Sequence, residues 1–381
     1  MNILITGGAG FIGSRTAAAL VARGDQVTII DNLSPQIHGD AEARARIAAK
    51  LSEQTNFIED DVRNVNLLTS LAREHDAVLH LAAETGTGQS MYDMVRYSDV
   101  NVTGTAALLE AATVSGSRIG KIVVASSRSI YGEGAYRCVS HGLVYPGDRS
   151  PAAMDAGIFD PRCPICDEVV AVAPTPESAP LTPASVYAVT KLAQENMVLA
   201  VARAHGLSAY GLRYQNVFGA GQSLSNPYTG ILSIFSREMV FGRPIEIFED
   251  GLESRDFVHV SDVVRANCAA LSADAIGVHP INVGTGVGIS VETVTAELAR
   301  FLEYQGTVRV SGRYRAGDIR HNIADVGLLQ AELDMTCGID FRTGLEEFVT
   351  WSRAELMRGM DNDGYARSLA ELAEHGLMKG G

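Results

Sequence analysis

The chain lacks most of what would mark it as a secreted, membrane-bound or nucleic-acid-binding protein. Five cysteines in 381 residues are too few and too unevenly placed for a disulfide framework, which points to a reducing cytoplasm. No stretch reaches the roughly 18 uninterrupted apolar residues that a membrane helix needs. The start, Met1-Asn2-Ile3-Leu4-Ile5-Thr6, runs into a strand pattern without a basic leader, so no signal peptide is expected. Basic residues are in deficit, 31 Lys and Arg against 45 Asp and Glu, giving a formal charge of −14. A phosphate backbone is bound through basic patches, so nucleic acid is not expected as a partner, whereas a few arginines can still hold a small anion. What remains is ordinary for a soluble globular chain with a full core: 46% hydrophobic and 20% charged residues.

The N-terminal half reads as a dinucleotide site. A short apolar run, Asn2 to Thr6, leads into Gly7-Gly8-Ala9-Gly10-Phe11-Ile12-Gly13 and then an alanine-rich helical stretch from Ser14 to Arg23. The glycines fit G-x-G-x-x-G from Gly8 or G-x-x-G-x-x-G from Gly7. Either allows a tight turn and close approach of backbone to a pyrophosphate. A second strand pattern, Gln26 to Ile30, ends in Asp31, an acidic residue 18 positions past Gly13. Such a carboxylate binds both ribose hydroxyls and repels a 2′-phosphate, favouring NAD over NADP.

Further strands are expected at Asn56–Val62, whose acidic end suits an adenine amino group, at Ala77–Ala83 and at Lys121–Ser127. Mid-strand His80 reads as a satisfied core histidine. Strands alternating with helical segments imply an α/β fold, a Rossmann-type doubly wound parallel sheet with ligands at the strands' C-terminal ends. A smaller C-terminal substrate-binding lobe is expected to follow. The division this implies is 1–214 for the cofactor domain, 215–355 mainly for the substrate lobe with crossover segments, and 356–381 for a helical tail with a mobile Lys379-Gly380-Gly381 end.

Tyr187 and Lys191 lie four residues apart and share a helix face. A tyrosine of unperturbed pKa about 10 is a poor base at neutral pH. A neighbouring ammonium favours the phenolate, making it able to take a proton from a sugar hydroxyl. Between Tyr131-Gly132 and that helix an insertion, about 133–180, carries Cys138-x2-His141 and Cys163-x2-Cys166. Four soft ligands in two knuckles suit a closed tetrahedral zinc site. Reduced cysteines in a folded insertion, or a Cys163–Cys166 disulfide, are the other readings. Cys268 and Cys337 sit among apolar residues and read as core.

Taken together, Gly7 to Gly13, Asp31-Asn32-Leu33, Asp61-Val62-Arg63, His80-Leu81-Ala82-Ala83, Asn101 to Thr105, Ser126 to Gly132, Tyr187 to Lys191, Leu212 to Gly219 and Arg255 to Val260 resemble the extended short-chain dehydrogenase/reductase family, and within it the nucleotide-sugar epimerases. The pieces fall in the family's order as far as about residue 350. The resemblance implies NAD held by Gly7, Gly10, Phe11, Ile12, Gly13, Asp31, Asn32, Asp61, Val62, Leu81, Ala82, Ala83 and Asn101. It implies Ser127 as the hydroxyl partner of Tyr187, Lys191 on the nicotinamide ribose, and Asn216 and Arg255 on a substrate pyrophosphate. Thr87, Arg128, Tyr228 and Asp318 are the further candidates for nucleotide-sugar contact, and His321 reads as exposed. Dehydratases of the family carry an Asp-Glu pair after the catalytic hydroxyl; Arg128-Ser129 stands there, which argues against dehydration. The insertion, with Pro35 to Gly39, Glu84 to Tyr92 and Val172 to Glu177, is similar to the branch of dTDP-L-rhamnose 4-epimerases. A homodimer through residues 100–115 and 185–205 is implied by the same resemblance. A reductase performing net redox and a non-catalytic NAD sensor are the competing functions.

Overall fold

The computed structural model describes residues 1–224, 230–315, 317–358 and 364–380. Seven strands form its central sheet: β1 (Asn2–Thr6), β2 (Gln26–Asp31), β3 (Asn56–Glu59), β4 (Ala77–His80), β5 (Lys121–Ser127), β6 (Ser208–Tyr214) and β7 (Val278–Val283). Their order is β7-β6-β5-β4-β1-β2-β3, and every neighbouring pair is parallel. The sheet is buried on both faces, so its strands read as continuous apolar runs rather than alternating ones. Ile3 and Ile5 pack into one layer and Leu4, between them, into the other.

Two strands are shorter than their apolar runs. β3 ends at Glu59, opposite the end of β2 at Asp31: the Asp60 N–H makes the last ladder bond, to the Asp31 carbonyl, and Asp60 Oδ2 then accepts from Asn64 Nδ2 in a turn. β4 ends at His80, and beyond it the Leu81 N–H still donates to the Thr6 carbonyl of β1 at 3.0 Å. His80 is the last residue of β4 rather than mid-strand, yet it is satisfied as expected: its ring nitrogens meet Thr6 Oγ1 at 2.7 Å and Thr105 Oγ1 at 2.8 Å.

The second lobe has its own core, in which Phe218, Phe235, Phe257 and Phe348 come together under the helices Ile231–Val240, Val291–Leu302 and Phe341–Met357. The insertion forms a small antiparallel sheet in which Tyr136–Cys138 lies between Gly142–Val144 and Ala171–Val172. Buried ion pairs bind it to the second lobe. Arg149, paired with Glu133 inside the insertion at 3.0 Å, reaches Glu249 of the second lobe at 2.7 Å, and buried Arg320 of that lobe reaches the more exposed Asp160 of the insertion at 2.8 Å. Each charge has partners, which is what keeps such burial tolerable.

The chain end differs from the mobile tail expected. Met378–Lys379 pairs antiparallel with Tyr314–Arg315, satisfying backbone groups that would otherwise stand open at a strand edge.

Candidate active site

The strand ends β1, β4 and β5 open into a cavity of about 490 Å³, where strand order reverses and ligands of such sheets bind. Its floor is the turn between β1 and α1 (Phe11–Ala22). Gly7 has φ +70°, and a Cβ there would stand 2.7 Å from the Ala82 nitrogen, so only glycine lets the two loops touch. Gly10 caps α1, whose first N–H groups face the cavity as an anion site. Gly7, Gly10, Phe11, Ile12, Gly13, Asp31, Asn32, Val62, Leu81, Ala82 and Ala83 all line it. Asp31 Oδ2 accepts from the Ala9 N–H at 3.0 Å and Oδ1 from Leu33 N–H at 2.9 Å, which aims the carboxylate at the cavity rim. This cradle, acidic at its rim and closed to a side chain at its floor, fits a dinucleotide.

Two expected cofactor residues stand behind the wall. Asp61 accepts from Arg63 and Asn32, bonds that hold its carboxyl down to about 2, and it is Asp60 that lines the cavity. Asn101 clasps the wall from outside: Oδ1 accepts from Glu84 N–H at 2.7 Å, and Nδ2 donates to Thr190 Oγ1 at 2.9 Å. Glu84 and His38 line the cavity without having been singled out; His38 Nε2 lies 3.5 Å from Asp31 Oδ1.

On the other wall stand Ser127, Tyr187 and Lys191. α2 (Thr87–Ser90) and α3 (Val186–His205) position them. Ser185 caps α3 by accepting from Ala188 N–H at 3.2 Å, which puts Tyr187 in the first turn and Lys191 one turn on. Ser127 ends β5, and its Oγ accepts from the Ser129 N–H at 3.1 Å. Burial raises the Tyr187 phenol, while the neighbouring Ser127 hydroxyl and the charge of Arg128 lower it. Burial presses the Lys191 ammonium down to about 7, opposed by Glu195. Gln194, which the spacing rules did not mark, accepts from Lys191 Nζ at 2.7 Å.

Toward the second lobe, Arg128 Nε donates to Asn216 Oδ1 at 2.8 Å, and Asn216 lines the cavity. Burial lowers Arg128 to about 9; the charge of Arg255 adds to this, and Asp318 opposes it. Arg255 itself is anchored on the carbonyls of Ser254, Ile319 and Arg320, and Asp318 accepts from Arg315 at 2.8 Å. Thr87 opens α2, beside Thr85 and Gly86 of the cavity wall. Tyr228 lies outside the described residues. His321 is half-buried rather than exposed: it bonds Ser254 Oγ at 2.8 Å, and burial lowers it to about 4.

The insertion brings Cys138, His141, Cys163 and Cys166 together, their ligand atoms all within 4.8 Å of one another. Cys138 Sγ lies 3.6 Å from His141 Nδ1 and 3.7 Å from Cys166 Sγ, and Cys163 Sγ lies 3.6 Å from the same nitrogen. Ligands about 2.3 Å from one ion at tetrahedral angles are about 3.7 Å apart. Glu168 Oε2 sits 3.5 Å from Cys166 Sγ and accepts from Ser140, a neighbour that knuckle spacing does not reveal.

Comparison with known proteins places this geometry. The chain is 37% identical over 94% of its length to a dTDP-L-rhamnose 4-epimerase of Burkholderia thailandensis, of which it covers 96%. Its fold matches a UDP-glucose 4-epimerase of Thermotoga maritima solved with UDP-glucose, at TM-score 0.74 and 29% identity, over 93% of this chain and 100% of that one. A UDP-glucose 4-epimerase of Stenotrophomonas maltophila, solved with NAD and formylated UDP-arabinopyranose, matches at TM-score 0.75 and 27% identity over 94% and 100%. The NAD dependent epimerase/dehydratase family model matches residues 3–145 and 166–284, and the chain belongs to that family.

Proposed function

We propose that this protein is a NAD-dependent 4-epimerase of a nucleotide-activated sugar, with dTDP-L-rhamnose, or its 4-epimer, as substrate. The observation that carries it is the placing of Ser127, Tyr187 and Lys191 on one wall of the glycine-floored cavity. Tyr187 takes the proton of the sugar 4-hydroxyl, Ser127 bonds the same oxygen, and Lys191 supplies positive charge beside them. Bound NAD supplies the hydride acceptor and donor at C4. The ketone formed turns within the site, and Tyr187 returns the proton when the other face is reduced. No net redox results. The sugar choice is supported by the 37% identity to the Burkholderia enzyme over almost the whole chain.

Around this chemistry we infer a cofactor-binding portion over 1–214, a sugar- and diphosphate-binding lobe over 215–355 that includes Asn216, Tyr228, Arg255 and Asp318, and a tail over 356–381. The four-ligand cluster holds a structural zinc ion, for which its spacing and chemistry are suited and which leaves no open position for catalysis. Free thiols suit a reducing compartment, the cytoplasm. Among the described residues no helix is long and apolar enough to cross a membrane. A homodimer would cover exposed Val95 and Val189, which lie beside and on the helices implied as its interface.

The test is to incubate the purified protein, without added cofactor, with a panel of nucleotide sugars that includes dTDP-L-rhamnose and UDP-glucose, and to follow C4 configuration by NMR. A new C4 epimer establishes the reaction and its substrate. Consumption of added NAD(P)H with net reduction of a sugar would instead make the protein a reductase.

A further inference from the structure

The C-terminal segment ties the second lobe to the turn on which the helix of Tyr187 begins. α4 (Gly364–Glu374) lies over α2 and the residues just after it. Tyr92 Oη donates to Glu371 Oε2 at 2.8 Å, and its ring stacks on His375 with centroids 4.7 Å apart and planes 6° from parallel. Leu372 is buried against Gly88 of α2. Beyond α4 the chain pairs with Tyr314–Arg315 of the second lobe. Tyr314 Oη in turn donates to Asp155 Oδ1 of the insertion at 2.8 Å.

On its inner side α2 touches the catalytic helix. Ser90 Oγ accepts from the Tyr187 N–H at 2.9 Å and donates to the Thr87 carbonyl at 2.7 Å. Thr85 and Gly86, immediately before α2, line the cavity. One continuous path therefore runs from the second lobe, through α4 and Tyr92, to the turn on which the Tyr187 helix begins.

We propose that Tyr92 is a positioning residue: clasped by Glu371 and His375, it fixes α2 and, through it, the preceding Thr85 and Gly86 as a wall of the sugar subsite that retains the 4-keto nucleotide sugar while it turns. The proposal rests on the epimerase reading. Oxidation at C4 moves the hydroxyl proton to Tyr187 and a hydride to NAD, leaving a ketone with no covalent hold on the protein. Every ketone lost before the hydride is returned leaves one cofactor reduced. A wall that holds α2 keeps that loss small, as lids and closing loops do elsewhere.

The experiment compares the holoenzyme with Tyr92→Ala, Tyr92→Phe and Leu372→Asp, using dTDP-L-rhamnose and UDP-glucose. Three quantities are read: reduced nicotinamide trapped per sugar epimerised, KM against kcat, and hydrogen exchange of the amides of residues 86–92. Tyr92→Ala is expected to raise the trapped fraction by about tenfold, raise KM more than it lowers kcat, and speed exchange over 86–92. Tyr92→Phe keeps the stacking, loses the bond to Glu371, and falls between. Should Tyr92→Ala not fold, Leu372→Asp carries the same expectations from the other side of the contact. Parental trapping and parental KM in a folded Tyr92→Ala would overturn the proposal. If the parent epimerises neither sugar, the epimerase reading fails first; exchange over 86–92 in the presence of dTDP then decides, and unchanged exchange in Tyr92→Ala overturns the wall itself.

Discussion

Lys191 Nζ donates a hydrogen bond to Gln194 Oε1 at 2.7 Å, and Gln194 Nε2 donates onward to Thr105 Oγ1 at 2.9 Å. The amide anchors the ammonium to the sheet side of α3, one turn beyond Tyr187. With the lysine held there, Tyr187 is the group of the proposed three that we expect to receive the sugar's proton. Tyr187→Phe removes that acceptor and little else. Turnover should fall by about 10²- to 10⁴-fold, the usual worth of a general base. NAD released on denaturing the purified variant should equal that of the parent. An active Tyr187→Phe enzyme would move the base elsewhere.

Gly7 separates a cofactor effect from a folding effect. Gly7→Ala meets both a positive φ and the backbone of Ala82, and destabilisation by about 1–3 kcal/mol with loss of bound NAD is expected. Gly24 also has a positive φ, +93°, but nothing lies within 4 Å of its added Cβ. Gly24→Ala should therefore cost only about 1–2 kcal/mol of backbone strain and keep its NAD. Thermal unfolding and cofactor content of the two variants check this; equal NAD loss in both would refute the close-approach argument.

These two sites also mark what could be read from residue order alone. A glycine turn between strand and helix, an acid at the end of β2, and Tyr187 with Lys191 one helical turn apart all depend on short-range geometry. Each was legible for that reason. The buried pairs that join the insertion to the second lobe were not: Glu133 and Arg320 are 187 residues apart, and only the folded chain brings them together. Similarly, strand propensity carries β3 through to Val62, whereas its partner β2 ends at Asp31 and the ladder stops with it, so that Asp60 rather than Asp61 lines the cavity. The Lys379-Gly380 end reads as free because its partner strand, Tyr314–Arg315, is equally featureless in sequence. Gln194 escaped notice because it acts through Lys191.

Loss of the zinc ion proposed for the cluster should leave the cavity untouched, since none of Cys138, His141, Cys163 and Cys166 lines it. Mass spectrometry of the native protein should show one zinc per chain. Cys163→Ser should lose it and unfold at lower temperature while retaining NAD, because the small sheet has few apolar residues of its own to hold it. A parent with no bound metal and with the three cluster thiols readily titrated would sink the assignment.

Glu253 gives the protein a pH-dependent stability whose sign follows from its surroundings. Its carboxylate is largely buried, Oε2 has no hydrogen-bond partner, and the nearest ion pair, to Arg320, is a loose 3.8 Å. Burial, reinforced by the charge of Glu249, raises the group to about 7, against the smaller pull of Arg255 and Arg320. Below its ordinary value of about 4.3 the carboxyl is protonated in folded and unfolded chains alike and contributes no difference. Between there and pH 7 the unfolded chain ionises first, so stability falls as pH rises; above 7 the loss is complete, on the order of 3–4 kcal/mol. Glu253→Gln keeps the shape and removes the charge. Its melting temperature should exceed the parent's at pH 8 and approach it at pH 5. A difference that stays the same at both pH values would mean that Glu253 is ionised in the fold throughout, with Arg320 a closer partner than the 3.8 Å separation implies.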